Sequence, residues 1–175
     1  MALGDPLVSV SAVAIPKAVF EKIGMFKTCR WFEDVELFDR IGYYYPIAYS
    51  TYIGFVYYLS SSNKVIDNKP DVLENHPLIE FFDSLTEKEL RMHKHYQDIM
   101  LYQEKLYITL AGMHLFAEDG ARVRENLSHV HDSVFRRLKL QYLMISYLPN
   151  TLLGILRKYN AKILYIRIFV MKYLK

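Results

Sequence analysis

The amino-acid sequence predicts a mostly helical chain in which a short α/β segment is followed by an all-α C-terminal extension. Three observations carry that prediction. Val8 and Val10 alternate with Ser9 and Ser11 as a half-buried strand would. Pro16 and Gly24 bracket an apolar-periodic stretch as helix start and stop. From Asp71 onward, apolar residues recur at helical spacing with few breakers.

Taken in order, the first element is the 8–11 strand, and the second is a helix over 16–23. A further helix begins near Glu33 and runs to about Gly42, followed by strand-like pieces at 46–49 and 54–59. Ser60-Ser61-Ser62-Asn63 and Asp67-Asn68-Lys69-Pro70 are loop sequences. Thr86 with Glu89 three residues later is a capping-box signature, and it opens a long helix whose stripe is Ile99, Leu106, Leu110, Met113 and Ala117. Asp119-Gly120 ends it. A second helix over 121–147, with Val123, Leu127, Val130, Val134 and Leu138 on one stripe, should fold back on the first as an antiparallel hairpin. Pro149 closes the second helix. Three segments follow from these breaks: 1–69, 70–148 and a basic apolar tail, 149–175.

At 175 residues and 52% hydrophobic, the chain can bury a core, which excludes a disordered tail. Its single cysteine, Cys29, allows no internal disulfide and fits a reducing compartment, and Met1–Pro6 lacks the pattern of a secretory signal. A cytoplasmic location, peripheral on a membrane if the tail meets one, is the expectation. Residues 1–132 hold 13 basic and 19 acidic residues, a balance of −6, whereas 133–175 hold nine basic residues and no acidic one. Such a tail suits an anionic membrane surface through residues 150–175 better than nucleic acid, because Leu, Ile, Tyr and Met dominate it. A C-terminal core element with solvated lysines is the alternative. Arg167 and Lys172 interrupt the last apolar run, and the run 140–156 is broken by Gln141, Pro149 and Asn150, so neither reaches the roughly 20 residues that span a bilayer.

The chemistry-bearing stretch reads Ser11-Ala12-Val13-Ala14-Ile15-Pro16-Lys17, then Phe20, then Ile23-Gly24-Met25-Phe26, then Trp31-Phe32-Glu33-Asp34-Val35-Glu36-Leu37-Phe38-Asp39-Arg40. This pattern resembles that of family 2 glycosyltransferases: a small-residue strand, a short helix ending in Ile-Gly-x-Phe, and Glu-Asp-x-x-Leu-x-x-Arg opening the next helix. The likeness covers about residues 8–60, and the helical remainder is similar to the C-terminal extensions of bacterial members. It implies the acceptor half of a GT-A fold, with Asp34 as general base, Glu33 supporting it, and Trp31 and Arg40 as acceptor-binding candidates. For Arg40 an exposed helix pair with Glu36 is the competing reading, and for Trp31 a buried aromatic.

Transfer with inversion needs a base that removes the acceptor hydroxyl proton as the oxygen attacks the anomeric carbon. A carboxylate at a helix start is oriented by free backbone donors and favoured there by the helix dipole. The family resemblance also implies a nucleotide-binding half ending in Asp-x-Asp, and a divalent cation (Mn or Mg). No Asp-x-Asp occurs in these 175 residues, Lys27 stands where an acidic residue is expected, and Tyr57-Tyr58-Leu59 lacks a histidine that some members use as a metal ligand. The expectation is a segment of a truncated or split enzyme with no cofactor or metal site of its own, inactive by itself, whose donor half belongs to a longer form of the chain or to a partner chain and whose acceptor is a saccharide or lipid-linked. A non-enzymatic scaffold or membrane-surface module derived from such an enzyme is the alternative. Cys29 lacks a visible base, the pairs His93/His95 and His129/His131 are two apart on expected helices and point away from each other, and no Gly-rich phosphate loop or His-Glu-x-x-His occurs.

Overall fold

The computed structural model describes residues 10–28, 32–50, 52, 56, 73–149 and 152. Helix accounts for 68% of them and none is in a strand, so the chain is mostly helical. The expected strand at 8–11 is corrected where it can be seen: Val10–Ala12 is a single 3-10 turn with no buried residue. A strand needs a neighbour to satisfy its backbone groups, and none lies among the described residues. Residues 46–50 carry no regular structure, and 54–59 lie outside the described residues apart from Val56.

Two compact units divide the chain between Gln103 and Glu104. In the first, α1 (Lys17–Ile23) follows Pro16 at its N-cap and stops at Gly24, whose φ of 87° only glycine adopts without strain and whose N–H donates to Phe20 O at 2.8 Å. Helix α2 (Glu33–Tyr44) buries Leu37, Phe38 and Ile41, on which Ile15, Val19, Phe20, Ile23 and Tyr45 pack. Helix α3 (Pro77–Asp83) packs on α2 and buries Leu78, Ile79, Phe81 and Phe82. Its first turn is set by Pro77 and by His76, whose Nδ1 accepts from Leu78 N–H.

The capping box at Thr86 and Glu89 forms as expected and starts α4 (Glu87–Met92). The long helix read from there is in fact interrupted: α4 ends at Met92, and α5 (Tyr96–Phe116) begins after His93–His95. The cause is tertiary. His93 Nε2 donates to Tyr43 O at 3.0 Å and its ring stacks on Tyr43 at 4.5 Å, holding His93 at extended angles of φ −70° and ψ 131°.

The second unit contains the end of α5, then α6 (Gly120–Ser128), a 3-10 turn at Ser133–Phe135 and α7 (Arg136–Ser146). Asp119 caps α6 by accepting from Arg122 N–H at 3.0 Å. The helix expected over 121–147 is broken between α6 and α7. Glu104 accepts the N–H groups of His131 (2.9 Å) and Asp132 (2.8 Å), and Asp132 accepts from Val134 N–H at 2.8 Å. The break rephases the stripe: Val123, Leu127 and Val130 are buried, but Val134 is 57% exposed. Helices α6 and α7 pack against each other, with Gly120 against the Ser146 carbonyl.

Candidate functional site

Glu33 and Asp34 open α2, and Arg40 follows on the same helix. The residue before it, Phe32, has a left-handed φ of 65°, which a bulky side chain adopts at a cost of about 1–3 kcal/mol. Its ring lies 4.7 Å from that of His76, a side chain only 2% exposed. Burial pushes the His76 imidazole down to about 4, so the ring is neutral at physiological pH, as its acceptor role toward Leu78 requires.

Phe32 offers no side-chain cap to α2, so the first turn supplies its own. Asp34 Oδ1 accepts from Val35 N–H at 2.8 Å, and the side chain is half-buried. Glu33 is exposed beside it. A carboxylate held at the rim of a rigid helix by a backbone donor can accept a proton from a hydroxyl brought against it. Trp31 and Cys29 lie outside the described residues.

Arg40 is occupied within the fold. Nε donates to Glu36 Oε1 at 2.9 Å, and one terminal nitrogen donates to Glu36 Oε2 at 3.0 Å and to Met25 O at 2.8 Å. The other donates to Ile23 O. The pair with Glu36 exists, but it is buried and not exposed as expected: the side chains are 8% and 0% accessible. Lys27 Nζ adds a second cation 3.4 Å from Glu36 Oε1. The guanidinium thus joins the carbonyls at the C-terminal end of α1 to the first turns of α2. The Ile-Gly-x-Phe and Glu-Asp-x-x-Leu-x-x-Arg stretches are two sides of one hydrogen-bonded unit, and Arg40 faces inward, where it positions chain segments.

Sequence reasoning paired Glu36 with Arg40 but placed the pair at the surface, and it did not single out Asp39. The signal for Glu36 was present: Leu37 and Ile41 place positions 36, 37, 40 and 41 on one helical face, so Glu36 and Arg40 share the core side. Asp39 Oδ2 accepts from the Tyr102 hydroxyl at 2.6 Å, and burial, reinforced by the Asp39 charge and hydrogen bond, raises the Tyr102 phenol far above its ordinary range. No local pattern announces a contact 63 residues apart.

The histidine pairs differ from their expected geometry. His93 and His95 sit in the break between α4 and α5 with ring centroids 5.8 Å apart, and His93 Nδ1 accepts from His95 N–H. His93 is half-buried against Tyr43, and His129 stacks on Tyr107 at 4.4 Å. Among the described residues, no group of three or more His, Cys, Asp or Glu is arranged to hold a metal ion, and no helix is long and apolar enough to cross a membrane. No protein-family model matches the chain, and no curated protein or solved structure does either.

Proposed function

We propose that the chain is the acceptor-side part of an inverting family 2 glycosyltransferase, moving a sugar from a nucleotide-diphosphate donor to a saccharide or lipid-linked acceptor. Asp34 is its general base. It takes the acceptor hydroxyl proton while that oxygen bonds to the anomeric carbon and the bond to the nucleoside diphosphate breaks. Glu33 sits beside the base, Arg40 positions it through the α1–α2 junction, and Trp31 lies close enough in sequence to contact the acceptor. The observation that carries the reading is Asp34 in the first turn of α2, half-buried and held by Val35 N–H, within the Glu-Asp-x-x-Leu-x-x-Arg pattern.

The donor site, with its divalent cation (Mn or Mg), comes from outside these 175 residues, in the same or a partner chain. The working location is the cytoplasmic side of a membrane, with 150–175 on anionic lipid. A scaffold derived from such an enzyme is the second reading, favoured by the absence of Asp-x-Asp.

The test supplies the chain with a donor-binding half, in cis or in trans, and follows sugar transfer. Asp34→Asn keeps a side chain that accepts hydrogen bonds but removes the base, so turnover should fall by about 10²–10⁴ while donor binding stays level. Glu33→Gln should cost less. Near-normal turnover in Asp34→Asn, with loss in Glu33→Gln, means the base is misassigned, and indifference to both means the Glu-Asp pair is only a charged helix start.

A further inference from the structure

Among the described residues, the outer side of α7 presents exposed side chains of a definite chemistry. Tyr142 and Ser146 are buried on the inner side, whereas Leu140, Met144 and Tyr147 are 50%, 66% and 69% exposed. Positions 140, 144 and 147 fall on one helical face, and 137 joins it a turn earlier. Arg136 and Arg137, both exposed, open the helix, and the Arg124 guanidinium lies 4.7 Å over the Tyr147 ring. Lys139 is engaged, donating from Nζ to Val130 O at 2.5 Å. Residues 133–175 contain nine Lys or Arg and no Asp or Glu, so no carboxylate of α7 relieves this positive field.

We propose that this face of α7 docks on an anionic lipid surface, lying in the plane of the interface. The proposal is independent of the transferase reading, and it concerns 136–147, not the tail. Large apolar side chains flanked by arginines, with an amphipathic tyrosine at the far end, match the boundary between headgroups and acyl chains: the apolar groups enter it and the guanidiniums meet phosphate. Charge decides against this face pairing with itself in a second copy of the chain, since Arg136 and Arg137 would meet their own equivalents with no acidic group on α7 to pair them. Three exposed apolar side chains bury too little area to hold a protein partner alone, while a charged bilayer supplies the remaining attraction through many weak contacts.

The full chain should co-sediment with phosphatidylcholine vesicles containing about one-third phosphatidylglycerol, far less with pure phosphatidylcholine, and less as salt rises. Arg136→Gln with Arg137→Gln should weaken that binding about 25-fold, from roughly fivefold per basic side chain. Leu140→Ser with Met144→Ser should weaken it by about tenfold or more, with an unchanged circular dichroism melt because both positions face solvent. A polarity-sensitive fluorophore on Met144→Cys, in a Cys29→Ser background, should shift to the blue on adding the anionic vesicles. Binding that neither double variant alters, with no blue shift, overturns the proposal and assigns lipid contact to the tail. Absence of binding overturns it too, as does equal binding to neutral vesicles, capture by an acidic protein without lipid affinity, or a dimer that the Leu140 and Met144 changes dissolve.

Discussion

Arg40→Met is the perturbation with the clearest expected size. It removes the guanidinium but keeps much of the stem, leaving Glu36, 0% exposed, with Lys27 at 3.4 Å as a partly exposed counter-charge. Breaking a buried ion pair from one side costs about 3–5 kcal/mol, because the remaining charge is desolvated without its partner. The carbonyls of Ile23 and Met25 lose their donor as well, at about 0.5–1.5 kcal/mol for each bond. Lys27 returns part of this, so a loss of about 3–5 kcal/mol is expected from urea unfolding. Against a typical domain stability of about 5–15 kcal/mol, that brings the first unit near its limit. Adding Glu36→Gln removes the stranded charge and should restore about 2 kcal/mol, a coupling that a double-mutant cycle reads directly. The molecule contains its own control. Arg91 and Glu87 have the same spacing and a 2.6 Å contact, yet their side chains are 66% and 78% exposed, so Arg91→Met should leave the midpoint almost where it was. Equal effects at Arg40 and Arg91, or an additive cycle at 36 and 40, would refute the buried junction between α1 and α2.

Three further outcomes are expected. The His76 imidazole is held at about 4 in the fold against about 6.5 unfolded, so the unfolded chain binds the extra proton between those values; stability should fall by up to about 3 kcal/mol as pH drops from 6.5 to 4. His76→Asn, which can still cap α3 but does not titrate, should flatten the pH dependence of the urea midpoint, and an unchanged slope would show that His76 is not its source. Gly120→Ala places a Cβ 2.3 Å from the Ser146 carbonyl oxygen and should cost about 1–3 kcal/mol in thermal unfolding, whereas Gly42→Ala, 3.4 Å from Ile47 Cδ1 on an exposed helical position, should gain up to about 1 kcal/mol; the reverse order would contradict the α6–α7 packing. Titrating the 175-residue chain alone with UDP-, GDP- and dTDP-sugars and Mn²⁺ should give no micromolar binding by calorimetry, and such binding would reveal a phosphate site within these residues.

The elements legible in the sequence are those whose determinants are local. Gly24 after Ile23, Glu33 at the start of α2 and the reciprocal Thr86–Glu89 bonds each act within a turn of the boundary they set, and each boundary lies where the pattern put it. The misread elements have distant determinants. Nothing near His93 indicates that its ring will stack on Tyr43, 50 residues earlier, and open a gap in a helical sequence. Nothing near His131 shows that its N–H will be taken by Glu104. Both breaks trade intrahelical bonds for tertiary ones, so apolar periodicity passes through them unaltered. The same limit hid the Tyr102–Asp39 bond at the candidate site, and it explains why Val134 left the buried stripe to which its spacing assigned it.

The position of Asp34 follows from both kinds of determinant. It precedes Leu37, Phe38 and Ile41 by three, four and seven residues, so it continues the core face of α2 into the helix's first turn. There the apolar layer runs out and backbone N–H groups are unspent, which lets a carboxylate stand half-buried without a buried partner. Two residues on, about 200° around the helix, Glu36 turns into the core between α1 and α2, and there burial is complete enough that a full guanidinium fork is needed to hold it. Of the four carboxylates of α2, Asp34 and Glu36 are therefore in different states of use. Glu36 spends its charge fastening α1 to α2, and through that junction it fixes the direction of the turn bearing Asp34. Asp34 keeps an exposed edge toward solvent. A proton acceptor for an incoming hydroxyl needs that combination of a rigid base and an accessible edge, and on α2 only the first turn provides it.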